Sequence, residues 1–166
     1  MLYRHRIHVR WVWRVSIISA VVAWLLLIFY TSSLTQDEIG PGGTFQVEPM
    51  SSLGRGIPSL QDHLIMYAVL ASLIQVALHS FNNSTSRILP WAFVSAGFAI
   101  LYGVSDEFHQ SFVDGRSASI MDVFWDGLGA VATAVILGYL MFIWPRLRGQ
   151  QARWALLRRR SSVQDS

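Results

Sequence analysis

The chain has 166 residues, of which 52% are apolar and only 14% are charged. A soluble domain usually carries about a quarter charged residues, so this composition disfavours a soluble globule and also an intrinsically disordered chain. The absence of cysteine excludes disulfides, iron–sulfur clusters and thiolate metal sites. The class that fits best is a small protein whose main solvent is lipid.

Four apolar segments are long enough to cross a bilayer as helices, which takes about 20 residues and at least about 17. They span residues 12–30, about 62–78, about 88–104 and about 123–145. We therefore predict an all-α polytopic membrane protein with four transmembrane helices in a small bundle, over residues 12–145. A loop rich in glycine and proline, residues 31–61, follows the first span. Soluble core helices are the alternative for the two short middle segments.

All thirteen basic residues are arginines, and eleven of them flank span ends on one side of the predicted membrane. These eleven lie in the tail of residues 1–11, at Arg14, at Arg87 and in the tail of residues 146–166. Only Arg55 and Arg116 fall on the other side. Because cytoplasmic flanks are rich in arginine, both tails are predicted to be cytoplasmic, in a multi-pass protein of the cell membrane. This placement of the arginines also argues against nucleic acid as a partner.

The first span has a second interpretation, because a basic start followed by an apolar stretch is also typical of a secretory signal peptide. Thr31 and Ser33 would then form a weak small-x-small cleavage site. Cleavage would leave three spans and remove the first arginine cluster. We therefore expect the first span to remain as an anchor.

The densest polar run near a predicted membrane boundary joins the third and fourth spans. An ionisable side chain within a span costs a few kcal/mol, so by default it faces the bundle interior and marks a possible site. The alternative is a water-exposed residue at a helix end. Together with the start of the second span, the run predicts a site on three helices at the outer face. Its members are His63, Tyr67, Tyr102, Asp106, Glu107, Gln110, Arg116, Asp122 and Asp126.

These residue types permit more than one chemistry. A carboxylate with an imidazole can serve general acid–base catalysis, so Asp106, Glu107 and His63 are the candidate catalytic residues. Arg116 can contact a phosphate or carboxylate, or it can pair with an acid and only fix the hairpin. The candidate binding residues are Tyr67, Tyr102, Gln110, Arg116, Asp122 and Asp126. His63, His109 and the acids could bind a divalent metal, but their spacing is not specific, so no cofactor and no metal site are predicted.

The ordered residues of this run resemble the VanZ family over roughly residues 15–145. They are Tyr102, Asp106, Glu107, Gln110, Phe112, Gly115 and Arg116, followed by Asp122 and Gly129, with His63 and Tyr67 matching an earlier motif. Asp114 stands where relatives usually carry proline, and Asp126 stands where they tend to carry asparagine. The resemblance implies a small multispan bacterial membrane protein. The named member of the family is associated with resistance to the glycopeptide teicoplanin.

Three functions remain open from the sequence. The first is a non-catalytic envelope protein that binds a lipid headgroup, a cell-wall precursor or a glycopeptide at the outer polar site. The second is an intramembrane hydrolase or transferase that acts on a lipid-linked substrate. The third is an ion or proton pathway along Asp122 and Asp126, which would need an oligomer. Membrane lipids are the expected partners in each case, and the oligomeric state is not predicted.

Overall fold

The structure is a computed structural model that describes the backbone of residues 2–35, 58–82 and 84–164. Side chains are described for residues 10–35, 63–82 and 84–150. The described residues form four α-helices and no strand, which confirms the all-α prediction. The helices are α1 (Leu2–Ser32), α2 (Pro58–Phe81), α3 (Ile88–Gln110) and α4 (Ile120–Gln164), with a short 3-10 turn (Thr85–Arg87) before α3. Most of the predicted loop of residues 31–61, including Arg55, lies outside the described residues.

Each of the four helices contains a segment long and apolar enough to cross a membrane, as the sequence predicts. These segments are Arg10–Ser32, His63–Phe81, Thr85–Gln110 and Ile120–Gln150. Large apolar side chains cover the outside of the bundle. On α3, for example, Phe93 is 72% exposed and Leu101 is 71% exposed. A helix that turns such side chains outward is suited to lipid, which argues against a soluble core helix.

Successive helices run in opposite directions, and side-chain contacts fix their alignment. The Arg14 guanidinium donates to the Ser80 carbonyl at 3.2 Å, which joins the first half of α1 to the end of α2. The Trp24 indole donates to the Met66 carbonyl at 2.9 Å, further along the contact between α1 and α2. We call the end of the bundle that contains Arg14 and Ser80 the arginine end. The opposite end, where α1 and α3 finish and α2 and α4 begin, is the acidic end.

Small residues line the contacts between helices. Ala71, Ala99 and Ala130 are fully buried, and Ala134 is almost so. Gly129 lies directly against the backbone of Leu64, where a Cβ atom would collide with the carbonyl group. Small residues let helix backbones approach closely in a membrane, where lipid provides no hydrophobic force between helices. Gly129, Ala130 and Ala134 therefore mark the face of α4 that packs on the other helices.

Helix α4 extends beyond the residue at which the predicted fourth span ends. Pro145 lies inside the helix, which continues to Gln164. Proline lacks an amide hydrogen and so cannot donate to the carbonyl one turn earlier. The chain remains helical on both sides of it, so the segment from residue 146 to Gln164 is a helical extension of α4.

Substituting Gly129 with alanine is expected to destabilise the fold, because the added Cβ would meet backbone rather than a flexible side chain. Overpacking of this kind costs about 1–3 kcal/mol of unfolding free energy, so the Tm in detergent should fall. Gly97→Ala and Gly127→Ala are matched controls. A Cβ at Gly97 would have no neighbour within 4 Å, and a Cβ at Gly127 would have only an ordinary contact with Ile100 at 3.6 Å. Equal Tm values for all three variants would contradict the packing described.

Candidate functional site

Buried polar side chains collect at the acidic end of the bundle. Asp106, Glu107 and Gln110 follow one another on the inward face of α3, and each is less than a tenth exposed. Asp126, one turn after Asp122 in α4, is fully buried. Gln110 lies three and four residues after Glu107 and Asp106, so the three side chains share the side of α3 that is buried in the bundle.

The contact that joins α2 to α4 at this end is made by His63 and Asp126. The Nδ1 atom of His63 lies 3.0 Å from Oδ1 of Asp126. With Asp126 ionised, its carboxylate can only accept, and the N–H of His63 Nδ1 is then the donor. The other carboxylate oxygen, Oδ2, is buried and has no hydrogen-bond partner. It packs against Gly103 of α3, where a Cβ atom would come within 2.7 Å of it.

Glu107 joins the end of α3 to the start of α4. Its Oε2 atom accepts a hydrogen bond from the backbone N–H of Ser119 at 2.8 Å. Its Oε1 atom is buried without a partner. The intervening loop turns sharply at Gly115, whose φ of 75° is a conformation that glycine adopts without strain. The loop thereby returns Ser119 to the carboxylate that precedes it by twelve residues.

Ser119 was not among the predicted site residues. Its hydroxyl lies 3.4 Å from the backbone nitrogen of Asp122, the position of an N-cap residue for α4. A serine three residues before an aspartate at the start of an apolar run is a recognised helix-start signal. That signal predicts the cap, but it does not predict that the backbone of the same serine holds Glu107.

Three side chains from three helices form a compact group that we call the acid–histidine cluster. It consists of His63, Glu107 and Asp126, and each offers one ligand atom within 4.8 Å of the other two. Within it, Asp126 is fully buried, and the His63 side chain is 15% exposed. An imidazole with two carboxylates can exchange protons with a substrate or coordinate a cation.

The remaining predicted residues have separate contacts. Gln110 donates from Nε2 to Oδ2 of Asp106 at 3.1 Å, one turn apart on α3. The Tyr102 hydroxyl donates to the Leu25 carbonyl of α1 at 2.9 Å. Tyr67 is 1% exposed, and its hydroxyl lies beside the Asp106 carboxylate. All three residues therefore have polar neighbours within the protein.

Arg116 and Asp122 lie at the same end but form no ion pair among the described residues. The Nε atom of Arg116 is buried without a hydrogen-bond partner. The sequence left open that Arg116 only pairs with an acid to fix the hairpin, and the described part of the chain contains no such pair. Its Nε–H therefore has no partner among the side chains that the structure describes.

A groove between α1 and α3 lies beside these residues. Its volume is about 300 Å³, and we call it the α1–α3 groove. It is lined by Phe29, Tyr102, Ser105, Asp106, Phe108, His109 and Phe112. His109 stacks on Phe29 with ring centroids 4.7 Å apart, and its Nε2 atom lies 3.0 Å from the Ser33 hydroxyl. His109 therefore belongs to the groove and not to the acid–histidine cluster.

A family model described as VanZ/LLP1 matches residues 17–144. The chain belongs to the VanZ/LLP1 family. The match covers all three members of the acid–histidine cluster and the whole α1–α3 groove. No curated protein and no solved structure gives a significant match. With its four apolar helices, this VanZ/LLP1 chain is a multi-pass membrane protein.

The His63–Asp126 contact is expected to appear as an energetic coupling between the two residues. Removing one partner leaves the other without its hydrogen bond, which costs about 1–3 kcal/mol for a buried group. His63→Ala and Asp126→Ala should each lower the stability, and the double variant should lose about 0.5–3 kcal/mol less than the sum. Unfolding in detergent measures these losses.

The matched control pairs Asp126→Ala with His79→Ala, since His79 lies at the arginine end. These two losses should add within about 0.5 kcal/mol. Additive losses for His63→Ala and Asp126→Ala would show that the two side chains do not stabilise each other.

Proposed function

We propose that this VanZ/LLP1 protein binds the headgroup of a lipid or lipid-linked envelope molecule at the acidic end of its bundle. We place it in the bacterial cell membrane, with both termini in the cytoplasm and the acidic end outside, because eleven of the thirteen arginines flank the opposite end. The observation that carries the proposal is the α1–α3 groove, which combines an apolar rim with polar groups at a membrane boundary.

The rim of the groove is suited to a hydrocarbon chain. Phe108 and Phe112 are 68% and 73% exposed, and their rings meet edge to face with centroids 5.1 Å apart. Across the groove, Phe29 of α1 is half exposed. An acyl or prenyl chain can lie along these rings while it remains in the membrane.

The polar groups of the groove are suited to a headgroup. Ser105, Asp106 and His109 offer a hydroxyl, a carboxylate and an imidazole within one turn of α3. Arg116 follows Phe112 by four residues, in the loop that closes this end, and its guanidinium has no acidic partner among the described side chains. Guanidinium groups bind phosphates and carboxylates in a bidentate manner. Phospholipids, phosphate-bearing cell-wall precursors and glycopeptides with a carboxylate fall into this ligand class.

Filling the groove is expected to reduce lipid retention. Ser105→Trp places a large ring where the headgroup would lie, and it should lower the retained lipid about tenfold, equivalent to about 1.4 kcal/mol of binding free energy. Native mass spectrometry of protein released from native lipid discs measures the retained lipid. Val104→Trp is the matched control, because Val104 is also exposed on α3 but does not line the groove.

Equal lipid retention by the two tryptophan variants would overturn the groove as the binding site.

Arg116→Gln tests the contact with an anionic headgroup separately from the groove. It should reduce the retention of anionic lipids more than that of zwitterionic lipids, because it removes only the anion contact. An equal reduction for both lipid classes would remove Arg116 from the site.

An intramembrane enzyme is the second candidate function. A specific observation supports it: the Glu107 Oε1 atom has no partner beside the His63–Asp126 pair. In a hydrolase or transferase acting on a lipid-linked substrate, Glu107 would be the base and His63 the acid or orienting residue. Asp106, the other candidate base, already accepts a hydrogen bond from Gln110.

Glu107→Gln is expected to abolish any such reaction, because an amide cannot act as a general base. Comparing the lipids of cells that express the wild type and the variant would reveal accumulated substrate and lost product. Asp114→Asn is the control, since Asp114 is an exposed acid outside the cluster. Identical lipid profiles for the wild type and Glu107→Gln, at equal protein levels, would exclude the enzymatic function.

A further inference from the structure

We propose that His63, Glu107 and Asp126 hold one divalent transition-metal cation, with Zn²⁺ or Mn²⁺ as the best-suited ions. The three residues come from α2, α3 and α4, so a cation there would join three of the four helices. The proposal is independent of lipid binding in the α1–α3 groove, and it assumes no reaction.

The distances in the cluster are close to those of a metal site. The three ligand atoms lie within 4.8 Å of one another. Ligands of Zn²⁺ lie about 2.0–2.2 Å from the ion and therefore about 3–3.5 Å from each other. The spacing in the cluster therefore exceeds that of a bound site by about 1–2 Å.

Two buried carboxylate oxygens point to a ligand that the protein itself does not supply. Oε1 of Glu107 and Oδ2 of Asp126 both lack a hydrogen-bond partner. Their residues are 4% and 0% exposed, respectively. A buried acceptor without a partner costs about 1–3 kcal/mol, and more when it is charged. A cation bound by both carboxylates would supply a partner that the described protein groups do not.

The charge at the acidic end also favours a cation. Glu107 and Asp126 are acids in a bundle surrounded by lipid, and Asp106 and Asp122 add negative charge nearby. Among the described residues, His63 is the only basic side chain that contacts any of these four acids. Uncompensated buried charges are expensive. A divalent cation would neutralise the two carboxylates that bind it.

The surroundings of the cluster hold the ligands in place. The backbone N–H of Ser119 fixes Oε2 of Glu107 and leaves Oε1 free. Gly103 provides the space that Oδ2 of Asp126 occupies, because any larger residue would put a Cβ within 2.7 Å of that oxygen. Hydrogen bonds to the ligand residues are how proteins orient the ligands of a metal.

The composition of the cluster selects among cations. Imidazole suits Zn²⁺ and other transition metals, whereas carboxylates alone suit Mg²⁺ and Ca²⁺. Mg²⁺ usually keeps several of its water molecules, which a cluster buried between three helices does not favour. Three protein ligands also leave at least one coordination position open, as in catalytic zinc sites.

The test is a titration of the purified, tag-free protein in detergent after treatment with a chelator. Zn²⁺, Mn²⁺, Mg²⁺ and Ca²⁺ are added separately, and native mass spectrometry and Tm report binding. We expect one Zn²⁺ or Mn²⁺ per chain with a rise in Tm, and weaker binding of Mg²⁺ and Ca²⁺. Co²⁺ serves as a spectroscopic probe, since its visible absorption reports on the ligands around it.

Variants of the ligands decide whether the cation lies in this cluster. Glu107→Gln and Asp126→Asn should weaken Zn²⁺ binding at least about tenfold, or about 1.4 kcal/mol, and change the Co²⁺ spectrum. Glu107→His replaces one ligand with another and should retain Zn²⁺. Asp114→Asn and His79→Gln should bind like the wild type, because neither residue belongs to the cluster.

Failure of the wild type to bind any of these cations would overturn the proposal. Binding that survives both Glu107→Gln and Asp126→Asn would overturn it as well, because the cation would then lie elsewhere. If those two variants do not fold, the comparison of Glu107→His with the wild type decides: an unchanged Co²⁺ spectrum would count against the cluster. Lipid retention in the groove is measured separately and does not enter these outcomes.

Discussion

The arrangement of the acidic end depends on one constraint, the burial of carboxylates at the boundary of a bundle whose outer surface is apolar. Each buried acid needs a donor, and the donors come from different elements. His63 of α2 contacts Asp126 of α4, and the Ser119 backbone before α4 donates to Glu107 of α3. Buried charges left without such partners would be costly. The contacts that lower this cost therefore also hold α2, α3 and α4 together at this end.

These short contacts require the helices to approach closely, and glycine permits the approach at two points. Gly129 brings the backbone of α4 against Leu64, the residue next to His63 in α2. Gly103 brings α3 against the carboxylate of Asp126. A Cβ at position 129 would collide with the Leu64 backbone, and a Cβ at position 103 would displace the Asp126 carboxylate. Packing by small residues and the polar contacts thus depend on each other, although each has its own sequence signal.

Much of this architecture follows from the sequence, because hydropathy identifies the spans and helical spacing identifies the inward face. The sequence predicts that His63, Glu107 and Asp126 lie at one end of the bundle, and the structure places them in one cluster. The partners of individual atoms do not follow from spacing. His109 lies only two residues after Glu107, which is about 200° around a helix, so it turns towards α1 and stacks on Phe29. The groove likewise depends on how α1 docks on α3, for which the sequence carries no periodic signal.

The groove and the cluster therefore depend on different contacts between helices. In the described part of α1, only Ile17, Ile28 and Ser32 are buried, so α1 docks through a narrow stripe. One wall of the groove belongs to α1, whereas the acid–histidine cluster uses only the other three helices. A ligand stabilises the state that binds it. A molecule in the groove would therefore strengthen the docking of α1, and a cation in the cluster would strengthen the contacts of α2, α3 and α4. The two kinds of ligand would act on one membrane domain through separate interfaces.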